Sequence, residues 1–177
     1  MFEQASPALA ANVVNQFAWR RSLDGSHLYP KEIMAATTRI SQSTSAGTDT
    51  AALLLRLCLG ALILLHGIAK IGAGPGMILD LVTKNGLPPV FGYFVYVGEV
   101  VAPILLIVGL WTRLAALVVA INMVVAIALV HTGQLFLLAK NGGYALELQT
   151  IYLVTAVAIA LLGAGRFSLG GVGGRWN

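Results

Sequence analysis

The chain has 177 residues, 58% of them hydrophobic and only 10% charged, with a mean hydropathy of +0.84. Soluble domains carry about 25% charged residues, so this is the composition of an integral membrane protein with one domain. The net charge of +4 comes mostly from lysines and arginines that flank apolar spans, which reads as membrane topology and argues against nucleic-acid binding.

Residues 1–48 form a polar N-terminal tail whose apolar patches are too short to cross a bilayer. It lacks a secretory h-region. Asn12 to Arg21 has the pattern of a short interfacial helix, although the composition of the tail favours disorder. Four apolar spans follow, each near the ~20 residues that cross a hydrocarbon core. They are 51–71, 91–110, 113–131 and 144–163. The expected fold is therefore an all-α, four-helix transmembrane bundle running up-down-up-down over residues 49–169.

The loop after the first span contains MILDLV, Met77 to Val82, whose apolar face predicts a short interfacial helix. Asn85-Gly86 would end it, and Pro88-Pro89 would stiffen the entry to the second span. Within this loop GAGPG, Gly72 to Gly76, follows no strand and lacks dinucleotide-binding spacing. Spans two and three are joined only by Trp111 and Thr112. In the third loop, Leu135 to Leu138 would dip into the interface or cover the outer mouth of the bundle. Residues 170–177 are a glycine-rich tail expected to be loose.

Four spans put both termini on one side. That side carries Arg20, Arg21, Lys31, Arg39, Arg113, Arg166 and Arg175, against Lys70, Lys84 and Lys140 opposite. The excess predicts that both termini are cytoplasmic.

Ionisable groups inside the spans are the candidate site, because hydrocarbon tolerates them only in a bundle interior, a wet cavity or an interface. Arg56, His66 and Lys70 fall within an arc of about 80° on the first helix. Arg56 either snorkels to the cytoplasmic interface or turns inward to an ion pair. Glu99 lies roughly 12 Å below the outer edge of span two, with His66 within about 5 Å of its depth. Pro103, four residues on, removes a backbone donor beside it. Glu99 and His66 are the candidates for proton or ligand handling. Arg56, Lys70, His131 and Glu147 are candidate ligand-binding positions. Gln149 points about 200° away from Glu147, and Asn122 is placed for an interhelical hydrogen bond.

The single cysteine, Cys58, excludes an intrachain disulfide and a CxxC pair and reads as a small buried apolar residue. Two histidines and two carboxylates would suit a metal by ligand type, but the Glu-x-x-His pair of metal bundles is missing, so no metal site is assigned. Haem between the histidines has less support. A quinone-like ring held by His and Glu donors and acceptors stands level with these as a cofactor candidate. A structural cluster that locks the helices of a scaffold or small-molecule carrier is the alternative.

LLLRLCLGALILLHGIAKI at 53–71, NGLPPV at 85–90, VGEVVAPILLIVGLWTRLAAL at 97–117, His131, GGY at 142–144 and GRFSL at 165–169 together resemble the DoxX family of small four-helix membrane proteins. By that resemblance Arg56, His66, Lys70, Glu99, Arg113 and His131 match polar positions typical of the family. Glu147 departs from it, standing three residues beyond the usual acidic position. The resemblance implies a redox-related inner-membrane protein, since members are associated with membrane oxidoreductase complexes, including a subunit of a thiosulfate:quinone oxidoreductase. It implies a redox-enzyme partner subunit. Gly60, Gly67 and Gly109 would also permit a homodimer.

One expectation concerns the start of the chain. Lys31, Glu32, Ile33 and Met34 can be encoded as AAG-GAG-AUN-AUG, a ribosome-binding sequence just before a start codon. We expect translation to begin at Met34, which would lower the terminal-side basic count from seven to four. The intact mass of protein from its native source tests this, and a mass that includes Met1 to Ile33 would refute it.

Overall fold

The computed structural model describes residues 31–140, 142–171, 174 and 176–177. The helix considered for Asn12 to Arg21 and most of the leader segment lie outside the described residues. The chain divides into two units, Met1–Thr44 and Ser45–Asn177.

The regular secondary structure among the described residues is helical, apart from an isolated bridge between Leu138 and Tyr144. Helix α1 is Lys31–Ala73, α2 is Gly76–Lys84, α3 is the composite helix Pro89–Val108, α4 is Thr112–Val130 and α5 is Glu147–Leu162. Three segments are long and apolar enough to cross a membrane: Ala46–Ala73, Pro89–Val108 and Thr112–Val130. Helix α5 is apolar but has only 16 residues, or about 24 Å at helical rise.

Their outward faces show what surrounds them. Leu54 is 62% exposed, Leu65 63%, Ile121 61% and Val154 61%. A soluble protein rarely leaves such a continuous apolar surface uncovered, so these side chains face lipid. Cys58 belongs to this exposed surface. It is not the buried packing residue that its chemistry suggested.

The interior is built from Leu59 and Ile63 of α1, Leu106 of α3, Ala116 and Val119 of α4, and Ile159 of α5. Alanines 115, 116, 120 and 156 join them, and small residues let helix backbones approach where lipid supplies no hydrophobic drive to pack. Gly60 and Gly67 serve the same end on α1. A Cβ at Gly60 would stand 2.7 Å from the Ile107 side chain, and one at Gly67 would run into the Glu99 carbonyl.

Helix α1 extends well upstream of the predicted start at 51, because the polar run before it continues the helix instead of breaking it. Helix α2 ends as Asn85-Gly86 predicts. Gly86 takes φ +77°, its N–H donates to Thr83 O, and the Leu87 N–H donates to Val82 O, which is the Schellman pattern.

The turn between α3 and α4 is Gly109 to Trp111, which begins two residues before the predicted Trp111-Thr112 connection and ends one residue before it. Gly109 is left-handed at φ +75° and Trp111 at φ +47°. The second is strained by about 1–2 kcal/mol, since a side chain there crowds the carbonyl.

The described residues of the glycine-rich tail lie against the helix ends. Asn177 Oδ1 accepts from the Thr112 backbone N–H at 3.3 Å and from Thr112 Oγ1 at 3.1 Å. The Arg113 N–H donates to Trp176 O at 3.0 Å. These bonds satisfy donors that the first turn of α4 would otherwise leave without partners. The left-handed Gly163, Gly165 and Gly171 supply the turns that bring the tail back.

Candidate functional site

The polar side chains separate into two groups at different levels of the helices. Arg56 organises the first. Hydrocarbon offers nothing to a guanidinium, and Arg56 is only 1% exposed. Its Nε donates to Leu106 O at 3.0 Å, its Nη1 to Ala164 O and to Phe167 O at 3.2 Å, and its Nη2 to Phe167 O at 3.1 Å. All these acceptors are backbone carbonyls, some of them released by the end of a helix and by the loop after α5. The planar fork of arginine reaches several at once, which a lysine cannot do. Gly109 makes room, since a Cβ there would stand 2.6 Å from Arg56 Nη2.

Two further contacts reinforce this end. The Asp49 carboxylate receives Arg166 Nε at 2.6 Å and the Arg166 N–H at 3.0 Å. Arg113 Nε donates to Asn177 O at 3.0 Å, and its Nη1 to Ala160 O at 3.1 Å. A cavity of about 110 Å³ lies among Asp49, Ala52, Arg113, Leu162, Gly165 and Asn177.

Glu99 organises the second group. Helix α3 is not regular around it: residues Val97–Val101 form a π-helical turn, in which the Ala102 N–H reaches back to Val97 O. Pro103 explains why the α register fails here. It has no N–H to offer the Glu99 carbonyl, so the α-helical bond at that step does not exist. That carbonyl lies against Gly67, which has no side chain to exclude it. Single π turns of this kind are frequent at functional sites.

Glu99 is buried, with the residue 4% exposed. Its Oε1 accepts from Lys70 Nζ at 2.5 Å and from Asn122 Nδ2 at 3.3 Å. Gly98 makes the second bond possible, because a Cβ there would stand 2.6 Å from Asn122. The other oxygen, Oε2, is buried with no hydrogen-bond partner. Lys70 lies in the last turn of α1, where a cation suits the helix dipole. Its side chain remains 40% exposed, so the pair runs from a partly exposed ammonium to a buried carboxylate.

The other candidate residues stand apart from this pair. His66 is exposed on α1 and meets the Tyr152 ring of α5 edge-on, with centroids 6.2 Å apart. The depth argument put His66 level with Glu99, but the rotation of α1 turns it towards α5. His131 closes α4; its Nδ1 lies 3.2 Å from Gln134 Oε1 and its Nε2 3.4 Å from Gln149 Nε2. Which ring nitrogen carries the proton follows from those partners. Glu147 is exposed, with no side-chain partner among the described residues. Gln149, and not Glu147, is the α5 side chain beside His131. Phe136 is 96% exposed and covers no mouth of the bundle.

Asn122 and Gly98 were not among the candidate site residues. A signal for Asn122 was present, since an amide in mid-span needs a partner, but only the structure shows that partner to be Glu99. Among the described residues no group of three or more His, Cys, Asp or Glu side chains is placed to hold a metal ion.

A largely lipid-facing set of helices with buried, internally paired charges defines a multi-pass helical membrane protein. More particularly, the chain belongs to the DoxX family, whose model matches residues 51–132. It is also 33% identical over 120 residues to an uncharacterised protein of Haemophilus influenzae, an alignment covering 65% of this chain and 84% of the relative. No solved structure matches the chain.

The two groups predict different mutational outcomes. Arg56→Lys loses most of the carbonyl contacts and should lower stability by about 2–4 kcal/mol, the scale of several hydrogen bonds to a charged group. Thermal unfolding in detergent measures it, and an Arg56→Lys protein as stable as the parent would refute a clamp role for Arg56.

Proposed function

We propose that this DoxX-family chain is a membrane subunit of an oxidoreductase system. In this reading Glu99, Lys70 and Asn122 hold the polar head of a small redox molecule of quinone type. The carrying observation is the buried Glu99 Oε2 without a partner. A half-satisfied carboxylate among apolar helices is costly, and intramembrane ionisable groups that persist mark ligand or proton paths by default.

The chemistry of the pair suits such a head group. Lys70 has two N–H donors beyond the one given to Glu99 and stands at the wet edge of the site. An apolar ring with polar oxygens lies between helices and presents one oxygen to the ammonium and the carboxylate. Glu99 then exchanges the proton that accompanies electron transfer, and Lys70 balances its charge. With one cysteine, the chain cannot itself run dithiol chemistry, so the electrons come from a redox partner subunit.

The architecture we propose is a four-helix bundle of α1, α3, α4 and α5 running up-down-up-down. Supporting it, Arg56 of α1 bonds the late α3 residue Leu106, whereas the later Lys70 bonds the earlier Glu99. Arg113 bonds Ala160 while His131 lies by Gln149. Basic residues on the terminal side favour an inner-membrane protein with both termini cytoplasmic, and α2 then lies at the outer interface. His66 with Tyr152 forms a second polar position, on the seam between α1 and α5. Gly60 packs inside the chain against Ile107 and Gly109 beside Arg56, so these glycines do not support a homodimer.

A scaffold reading accounts for Arg56, whose bonds all serve to tie helix ends together. It does not account for Glu99 Oε2, which a scaffold would have no reason to keep. In calorimetric titrations of the purified protein with a short-chain benzoquinone couple, at least one redox form should bind. Glu99→Gln should weaken that binding about tenfold or more, the scale of one lost charge-assisted hydrogen bond, while the variant still unfolds cooperatively. Undiminished binding by a folded Glu99→Gln protein would refute the site.

A further inference from the structure

We infer that the Glu99 site takes the reduced, hydroxyl-bearing form of its ring ligand, a quinol or related phenol, in preference to the oxidised quinone; this rests on the reading of the site just given. The inference follows from counting donors and acceptors. An ionised carboxylate only accepts hydrogen bonds. Both donors aimed at Glu99 go to one oxygen: Lys70 Nζ and Asn122 Nδ2 each bond Oε1. Oε2 is buried and receives nothing.

The surroundings do not supply the missing donor. Among the described residues no side chain other than Lys70 and Asn122 donates to this carboxylate, and both give their bond to Oε1. What satisfies Oε2 must therefore arrive with the ligand, and it must carry an N–H or O–H.

A quinone oxygen is an acceptor only. Set against Oε2 it would face one lone pair with another, and only the contact to Lys70 would favour it. A quinol hydroxyl meets both requirements with one atom. Its O–H donates to Glu99 Oε2, and its lone pair accepts from a remaining Lys70 N–H. Lys70 Nζ lies 2.5 Å from Oε1, the other oxygen of the same carboxylate, so a hydroxyl bonded to Oε2 has this ammonium as its nearest cation. A methyl ether of the same quinol keeps the ring and the acceptor but loses the donor.

The preference has a thermodynamic consequence. A site that binds the reduced form more tightly raises the midpoint potential of the bound couple, by about 30 mV for each tenfold in affinity of a two-electron couple. The site therefore favours quinone reduction by the partner subunit and holds the product until it is released.

The test uses the full chain in nanodiscs under anaerobic conditions, titrated with three probes: a benzoquinone bearing one isoprene unit, its quinol, and the dimethyl ether of that quinol. The quinol should bind about tenfold or more tightly than the other two, the discrimination expected when an analogue leaves a buried group unpaired. In Glu99→Gln, whose amide supplies its own donor, the preference should collapse to within about threefold. If that variant does not fold, the ratio of quinol to ether binding in the parent chain decides, since it needs no variant. Quinone or ether binding as tight as quinol in the parent chain would overturn the inference and leave the site itself standing. A preference that survives intact in folded Glu99→Gln would overturn it too. Binding of none of the three would overturn both the inference and the site.

Discussion

A polar group inside hydrocarbon must find its partner within the protein, and this chain meets that demand in two opposite ways. The Arg56 guanidinium spends its donors on backbone carbonyls contributed by α3 and by the segment after α5. Nothing about it is left open. Glu99 is the reverse case. One oxygen is doubly bonded and the other has no partner, although the residue is as deeply buried as the core around it. The remaining helical packing, with its glycines and alanines at the contacts, holds these two charges where they are.

The Glu99 end shows how several local features converge. Pro103 removes a helix donor, the π turn absorbs the missing bond, and Gly67 lets α1 close over the freed carbonyl. Gly98 opens the way for Asn122. Each feature alone is unremarkable. Together they place a carboxylate on a broadened turn between two helices, with an ammonium at its edge.

The spans were legible in the sequence because hydropathy reports burial in lipid directly, and α3 and α4 fall within about two residues of their expected bounds, as end assignments usually do. Helix α5 starts at Glu147, later than the expected 144, because Tyr144 is held by its bridge to Leu138. The partners of the charges were less legible. Helical rise gives depth, but rotation about the axis depends on packing. His66 therefore looked level with Glu99 and meets Tyr152, while Lys70 reaches the carboxylate from the last turn of α1. The ends of Arg56 were hidden for another reason: carbonyl acceptors carry no residue type, so no sequence pattern announces them. The tail looked loose because glycine is permissive, and the same freedom lets it fold back onto Thr112 and Arg113.

The account turns on Glu99 Oε2 as an acceptor that a ligand completes. Infrared difference spectroscopy on ligand addition, with glutamate isotopically labelled at the carboxylate carbon, observes that atom group directly. The account predicts a label-sensitive shift of one carboxylate band when a quinol is added, abolished in Glu99→Gln. A ligand that binds with no change in any glutamate band, or with an identical change in Glu99→Gln, would contradict it.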